Sequence, residues 1–421
     1  VAAGTYDEQV VINKNLTLQG AGETTVIKPS TLTTYITGAE EAGSTVTTGV
    51  IIANGAGNVT VKNLKVDASL LPADRSTWFS PSVANMKFAG VFYYNTGGVI
   101  DGVTSTNNNH ITIPTGAAST WGRQVQSFKI DADTSTSVNV ELKYSTASNF
   151  LGEGVSVGWN ANNITVDIHD NTITGDGKLT NRRQNGIQVY YATVAGIADN
   201  DISNLAYGPS NWATGITVVS VPSGAIIEGN TISNCDFGII DGFSSGVSIL
   251  DNSITGSGHT YGTGIYLDNS SANLTGILVD GNTIGSGFPY GGIGLRGWYA
   301  GTNTISETIS NNVLNGGGSA GYGIYDDSGA PGNITASITG NTITGWAKSI
   351  SIRSGAPVSG ITVDNNILES VQNGTTGTLD ATPNWWGSAA GPAEGAVYGA
   401  VTYAPWCKTE ACDELAPDEN G

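Results

Sequence analysis

Four charged residues, Asp268, Arg296, Asp327 and Arg353, occupy one position of a phrase that recurs along the chain, and Tyr266 and Tyr325 stand two residues before the aspartates. Paired carboxylates about 6.5–9.5 Å apart suit inverting glycoside hydrolysis, one as acid and one as base for water. Two rungs of stacked strands would separate Asp268 from Asp327 by about 9.6 Å. Arg296 between them would favour the ionised form of both, which suits the base. Asp241 and Asp326 fall where the phrase asks for an apolar residue; burial would raise the pKa of either and make it a candidate acid. The catalytic candidates are therefore Asp241, Asp268, Arg296, Asp326, Asp327 and Arg353. Candidate substrate contacts are Tyr190, Tyr266, Tyr325, Trp298, Arg182 and Arg183. A bland alternative stands beside this one. Opposite charges on neighbouring strands stabilise each other by roughly 0.2–1 kcal/mol with no substrate at all.

The position is defined by the phrase Gly, branched apolar, any residue, apolar. It reads GVFYYN at Gly90, GVSVGW at Gly154, GIQVYY at Gly186, GITVVS at Gly215, GIIDGF at Gly238, GIYLDN at Gly264, GIGLRG at Gly292 and GIYDDS at Gly323, with a degenerate copy at Ser349. From Gly186 the steps are 29, 23, 26, 28, 31 and 26 residues. A second phrase, Asn-Thr/Ser-Ile, follows each copy, at Asn171, Asn200, Asn230, Asn252, Asn282, Asn312, Asn341 and Asn366, with an early copy at Asn63. Alternation with period two predicts strands, and each copy is too one-sided to bury its own apolar face. Stacked copies bury a continuous core, so the fold expected is all-β, a single-stranded parallel β-helix of about eleven coils. The asparagines are expected at sharp turns, in the left-handed region, bonded through their amides into a structural ladder.

These two phrases resemble the right-handed parallel β-helix repeats of the pectate-lyase-like superfamily, and are especially similar to its carbohydrate-binding and sugar-hydrolysis repeat proteins. VAAGTYDEQVVINKNLTLQGAG resembles a first coil, RRQNGIQV an internal coil and LDATPNWWGSAAGP a C-terminal segment. The resemblance implies a right-handed coil and a polysaccharide or glycan as partner, hydrolysed or cleaved by elimination in a groove on the helix face. For elimination it implies calcium as the candidate cofactor, with Asp268 and Asp327 as ligands and Arg353 or Arg296 as base. A non-catalytic surface or adhesin module that binds glycan is the alternative.

The remaining bounds come from composition. Sixteen basic against 35 acidic residues leave a formal charge of −19, which repels nucleic acid. The 421 residues contain no run of 18 apolar residues, so no membrane span is expected. Cys407 and Cys412 are spaced to close a small disulfide, Cys235 reads as a buried thiol, and a secreted or cell-surface location is expected. Residues 1–48 are expected to form the first coils, with a processed N-terminus. Residues 49–370 form the repeat body, with insertions near 67–89, 110–151 and 176–185. Residues 371–421 form the C-terminal cap and tail, with Trp385 and Trp386 plugging the last coil. The insertions place Trp78, Phe79, Trp121, Arg123, Arg182 and Arg183 as candidate groove walls.

Overall fold

The computed structural model describes the chain except residues 42–43, 80–85, 112–124, 159–162, 209–211, 296–301, 327–333, 354–356 and 418–421, and the side chains of 39–45. The chain divides into two units, Val1–Pro222 and Ser223–Gly421, and both repeat the same coil. One turn of that coil is three short strands. In the first unit Asn185–Tyr190, Thr193–Ala198 and Asp201–Tyr207 lie parallel on Glu153–Gly158, Ile164–His169 and Thr172–Leu179, one rung earlier. The three positions are the first, second and third faces of the coil. Alternation along the first face turns Val155, Val157, Ile187 and Val189 inward, all fully buried, so each rung covers the apolar side of the last.

First-face strands pair in chain order. In the first unit they are Val10–Ile12, Ser44–Asn54, Lys87–Tyr94, Val125–Asp131, Glu153–Gly158, Asn185–Tyr190 and Thr214–Val219. In the second they are Phe237–Gly242, Thr263–Asp268, Gly291–Gly294, the ends of Val313–Asp326 and Thr342–Ile352, then Val371–Asn373 and Val397–Tyr398. Among the described residues there is no α-helix, one short 3-10 turn at Arg75–Thr77, one antiparallel strand pair, Tyr35–Glu41 with Ser44–Asn54, and an isolated antiparallel bridge between Cys407 and Leu415.

The glycine of the first phrase sits at the corner leading into the first face. A Cβ on Gly154 would lie 2.5 Å from the Ile173 side chain and 2.9 Å from the Gly186 carbonyl. On Gly264 it would lie 2.7 Å from both the Ile284 side chain and the Gly292 carbonyl. The isoleucine of the second phrase fills the space that the missing side chain leaves, so the two phrases are two halves of one packing contact within a rung.

The asparagines form ladders inside each unit. In the first, Asn200 Oδ1 takes the Asn171 N–H at 3.1 Å and its Nδ2 at 2.9 Å. In the second the ladder runs Asn230, Asn252, Asn282, Asn312, Asn341 and Asn366, each N–H reaching the next Oδ1 at 2.9–3.0 Å. It ends on Asn384, which the repeat text does not mark. The left-handed residue is not the ladder asparagine, as expected, but the one before it: Asp170, Asp199, Gly229, Asp251, Gly281, Asn311, Gly340 and Asn365, with φ between 51° and 69°. Asn63, at φ 53°, is such a turn residue, and Leu64 beside Val103 takes the ladder place in that rung. Ser145 fills the same place two rungs later: its Oγ accepts the Val103 N–H at 3.1 Å and its N–H reaches Asn171 Oδ1 at 3.0 Å.

Two expectations need correction. The stretch 110–151 is mostly a regular rung, with strands Val125–Asp131, Val138–Lys143 and Thr146–Ser148. It read as an insertion because Ser127 stands at the corner where other rungs have glycine. The rung at Gly49 was missed as well. At the other end, Asn384–Trp386 supplies a ladder rung instead of a terminal plug. The coil continues through Val397–Tyr398 and Val401–Thr402, and a Cys407–Cys412 disulfide closes the segment, as the spacing predicts. Trp386 is buried edge-on against Tyr403, with centroids 6.4 Å apart. Cys235 is the expected buried thiol.

Candidate functional site

The outward residues of the first face, and the corner before it, carry most of the residues the sequence singles out. Register in the second unit pairs Ile240 with Tyr266, Tyr266 with Gly294, Gly294 with Tyr325, and Tyr325 with Ser351. It also sets Asp268 beside Gly242. These are the columns the repeat predicts. Arg296, Trp298 and Asp327 lie outside the described residues, as do Trp121 and Arg123.

Tyr266 and Tyr325 point outward by register yet are buried, 2% and 1% exposed. The Tyr325 hydroxyl meets Thr263 Oγ1 at 2.9 Å, and the Tyr266 ring packs edge-on against Phe237 at 5.7 Å. Burial pushes the Tyr325 phenol up, so it stays neutral. Both are the floor beneath a surface rather than its contact layer.

The contact layer is a string of tyrosines that the columns do not contain. Tyr261, Tyr290 and Tyr322 come from three successive rungs, with ring centroids 6.3 Å apart at each step. Tyr325 supports the middle of the string, 5.1 Å from Tyr290 and 6.0 Å from Tyr322. Tyr261 is half exposed, while Tyr290 and Tyr322 are half-buried. The Tyr261 loop is a turn closed by Gly262 N–H on the His259 carbonyl at 2.8 Å and braced by Ser257 Oγ donating to Asp236 at 2.6 Å. Tyr290 is fixed through its carbonyl, which accepts the Tyr322 N–H at 3.0 Å. Gly321 passes so close that a Cβ there would strike the Pro289 and Tyr290 carbonyls. Arg353 ends the string: its guanidinium lies 5.9 Å from the Tyr322 ring centroid, within cation–π range, and an Nη sits 3.5 Å from the hydroxyl. A signal for these tyrosines was present. Each belongs to a Tyr-Gly pair just ahead of a Gly-Ile phrase (YGTGI, YGGI, YGI), but at three different offsets.

The acidic candidates separate by exposure. Asp268 ends its strand half-buried, its Oδ1 accepting the Ser270 N–H at 2.9 Å. Asp241 occupies an inward position opposite Leu267 and is fully buried. Ser244 lies close enough to favour its charge, but no hydrogen bond of ordinary geometry closes, and among the described residues both Asp241 oxygens stay unpaired. Burial, with the Asp268 charge adding to it, pushes the Asp241 carboxyl up to about 7. Asp326 is likewise inward, opposite Ile352 and 1% exposed. A substrate on the outer surface reaches Asp268 and the exposed Arg353, not these two. Among the described residues no three His, Cys, Asp or Glu side chains gather as a metal site. Asp268 is the one described member of the expected calcium pair.

In the first unit the outward side of the first face holds a sealed polar file. Lys129 and Asp131 form an ion pair at 3.3 Å, both within 2% of complete burial. Gln126 donates to Glu153 at 3.2 Å, and Asn185 to Gln188 at 3.1 Å, while Gln188 donates to the Tyr190 hydroxyl. Burial raises the Asp131 carboxyl against the pull of Lys129 and Lys87. Tyr190, a candidate substrate contact, is thus an internal hydrogen-bond partner. Arg182 is committed to Asp176 at 2.6 Å, and Arg183 is buried. Trp78 packs on Phe88 at 5.4 Å and Phe79 on Tyr35 at 5.0 Å. These contacts consolidate the loops that carry them. The sequence reading missed Lys129, Asp131 and Glu153, because the rung that carries two of them lacks its corner glycine.

No curated protein matches the chain. Two crystal structures of the GH136 lacto-N-biosidase from Eubacterium ramulus resemble it at 12% identity: a selenomethionine derivative, TM-score 0.46, and the native protein, TM-score 0.41. The first likeness covers 85% of this chain and 58% of that one, the second 88% and 62%, so the chain spans less than two thirds of either. A family model described as right handed beta helix region matches residues 153–368, just over half of the 421, and the chain accordingly belongs to the right-handed β-helix family.

Proposed function

We propose that this chain is a secreted or cell-surface carbohydrate-binding protein that holds a polysaccharide against the corner of the second unit. The observation that carries the reading is the tyrosine string Tyr261–Tyr290–Tyr322, ended by Arg353. Aromatic rings offer flat apolar faces and polar edges suited to the C–H faces and hydroxyls of sugar rings. The Cys407–Cys412 disulfide supports an oxidising location. Cleavage by hydrolysis or elimination is the second reading, favoured by Asp268, whose half-buried carboxylate stands on the same face.

Retention of the full chain in native gels containing polysaccharide tests the first reading. The expected result is retardation by at least one polymer, weakened in Tyr322→Ala and unchanged in Asp268→Asn. Release of reducing ends, or of ultraviolet-absorbing unsaturated ends, tests the second, and any such activity should disappear in Asp268→Asn. Migration unaffected by every polymer would remove the proposal.

A further inference from the structure

The proposed glycan site can be taken one step further, to the class of sugar it accepts; this step rests on the reading above. We infer that the occupant is an uncharged glycan whose chain runs along the stack, over Tyr261, Tyr290 and Tyr322 in turn.

The direction follows from the rungs. The three rings belong to three successive first-face corners, so the line through them crosses the strands instead of following one. A polymer meeting all three must lie along the stack axis. Equal spacing of 6.3 Å at both steps gives it a repeated contact rather than a single anchor.

The absence of charge follows from what surrounds the string. The chain carries −19, and Asp268 ends the first-face strand of the rung that Tyr261 opens. Arg353 already rests over the Tyr322 ring and against its hydroxyl. Lys348, half-buried opposite Tyr322 in the next rung, is the cation a polyanion would depend on. An acidic polymer would depend on Arg353 and Lys348 at one end of the string against the negative field of the whole chain, while a neutral one needs only ring faces and hydroxyls.

The test is affinity electrophoresis of the full chain in mixed-linkage β-glucan, galactomannan, polygalacturonate and chondroitin sulfate. We expect retardation by a neutral polymer, weakened about tenfold by Tyr261→Ala and again by Tyr290→Ala. Lys348→Ala should stay within about twofold of the parent. Tyr261 is half exposed, so its alanine variant should fold, and an unchanged melting temperature verifies this. Retardation confined to the two polyanions, or lost in Lys348→Ala but not in Tyr261→Ala, overturns the neutral assignment while leaving a glycan site in place. Retardation by none of the four overturns both.

Discussion

Replacing Asn312 by alanine is expected to destabilise the second unit by roughly 2–4 kcal/mol. The side chain is completely buried. Its Oδ1 accepts the Asn282 N–H and Nδ2, both at 2.9 Å, and its own Nδ2 donates to the Val279 and Ser310 carbonyls and to Asn341 Oδ1, all at 2.9 Å. Alanine leaves the buried Asn282 N–H without its acceptor, at about 1–3 kcal/mol, and removes the bonds to the Val279 carbonyl and Asn341 Oδ1, at about 0.5–1.5 kcal/mol each, while Asn282 Nδ2 keeps the Ile249 and Asp280 carbonyls and the Ser310 carbonyl keeps the Gly281 N–H. Serine should cost about half as much, because Ser145 already fills a ladder place in the first unit with one acceptor and one donor. Equilibrium urea unfolding of the three proteins decides the matter. A loss below ~1 kcal/mol in the alanine variant would show that the ladder decorates the turns without holding them.

Asp241→Leu should stabilise the protein increasingly as pH rises above about 4, and most fully at neutral pH and above. The folded carboxyl titrates at about 7 against an ordinary value of 3.8. Folding therefore binds a proton between those values, and stability falls as pH climbs from about 4 to 7, then levels. The loss is roughly 4 kcal/mol at about 1.36 kcal/mol per pKa unit. Leucine continues the inward column of Leu267 and removes the titration. At pH 8 the variant should melt several degrees above the parent, at pH 4 at nearly the same temperature, with Asp241→Asn between them. A parent whose stability is flat from pH 4 to 8 would place that carboxyl somewhere wetter.

What the sequence disclosed, and what it hid, follows from how local each signal is. Gly264 and Ile284 recur at a workable spacing because one fills the space the other leaves, so the coil was legible. The turn was read one residue late: Asp251 takes the left-handed backbone while Asn252 makes the ladder bonds, and the two jobs look like one when only the asparagine repeats. Ser127 concealed a whole rung by standing where glycine was sought. Asp241 and Asp326 were correctly marked as breaks in the apolar column, but their inward register keeps them from an external substrate. The tyrosine string was hidden most completely. Tyr261, Tyr290 and Tyr322 sit at unequal offsets in the text, and only the bending of each corner brings them into line.

That alignment is the claim on which the functional account stands, and a crystal structure of the chain soaked with a neutral hexasaccharide tests it most directly. Sugar rings should lie over Tyr261 and Tyr290, with the oligosaccharide parallel to the stack and its end near Arg353. Density for the sugar on the second or third face, or running along a strand away from all three tyrosines, would contradict it.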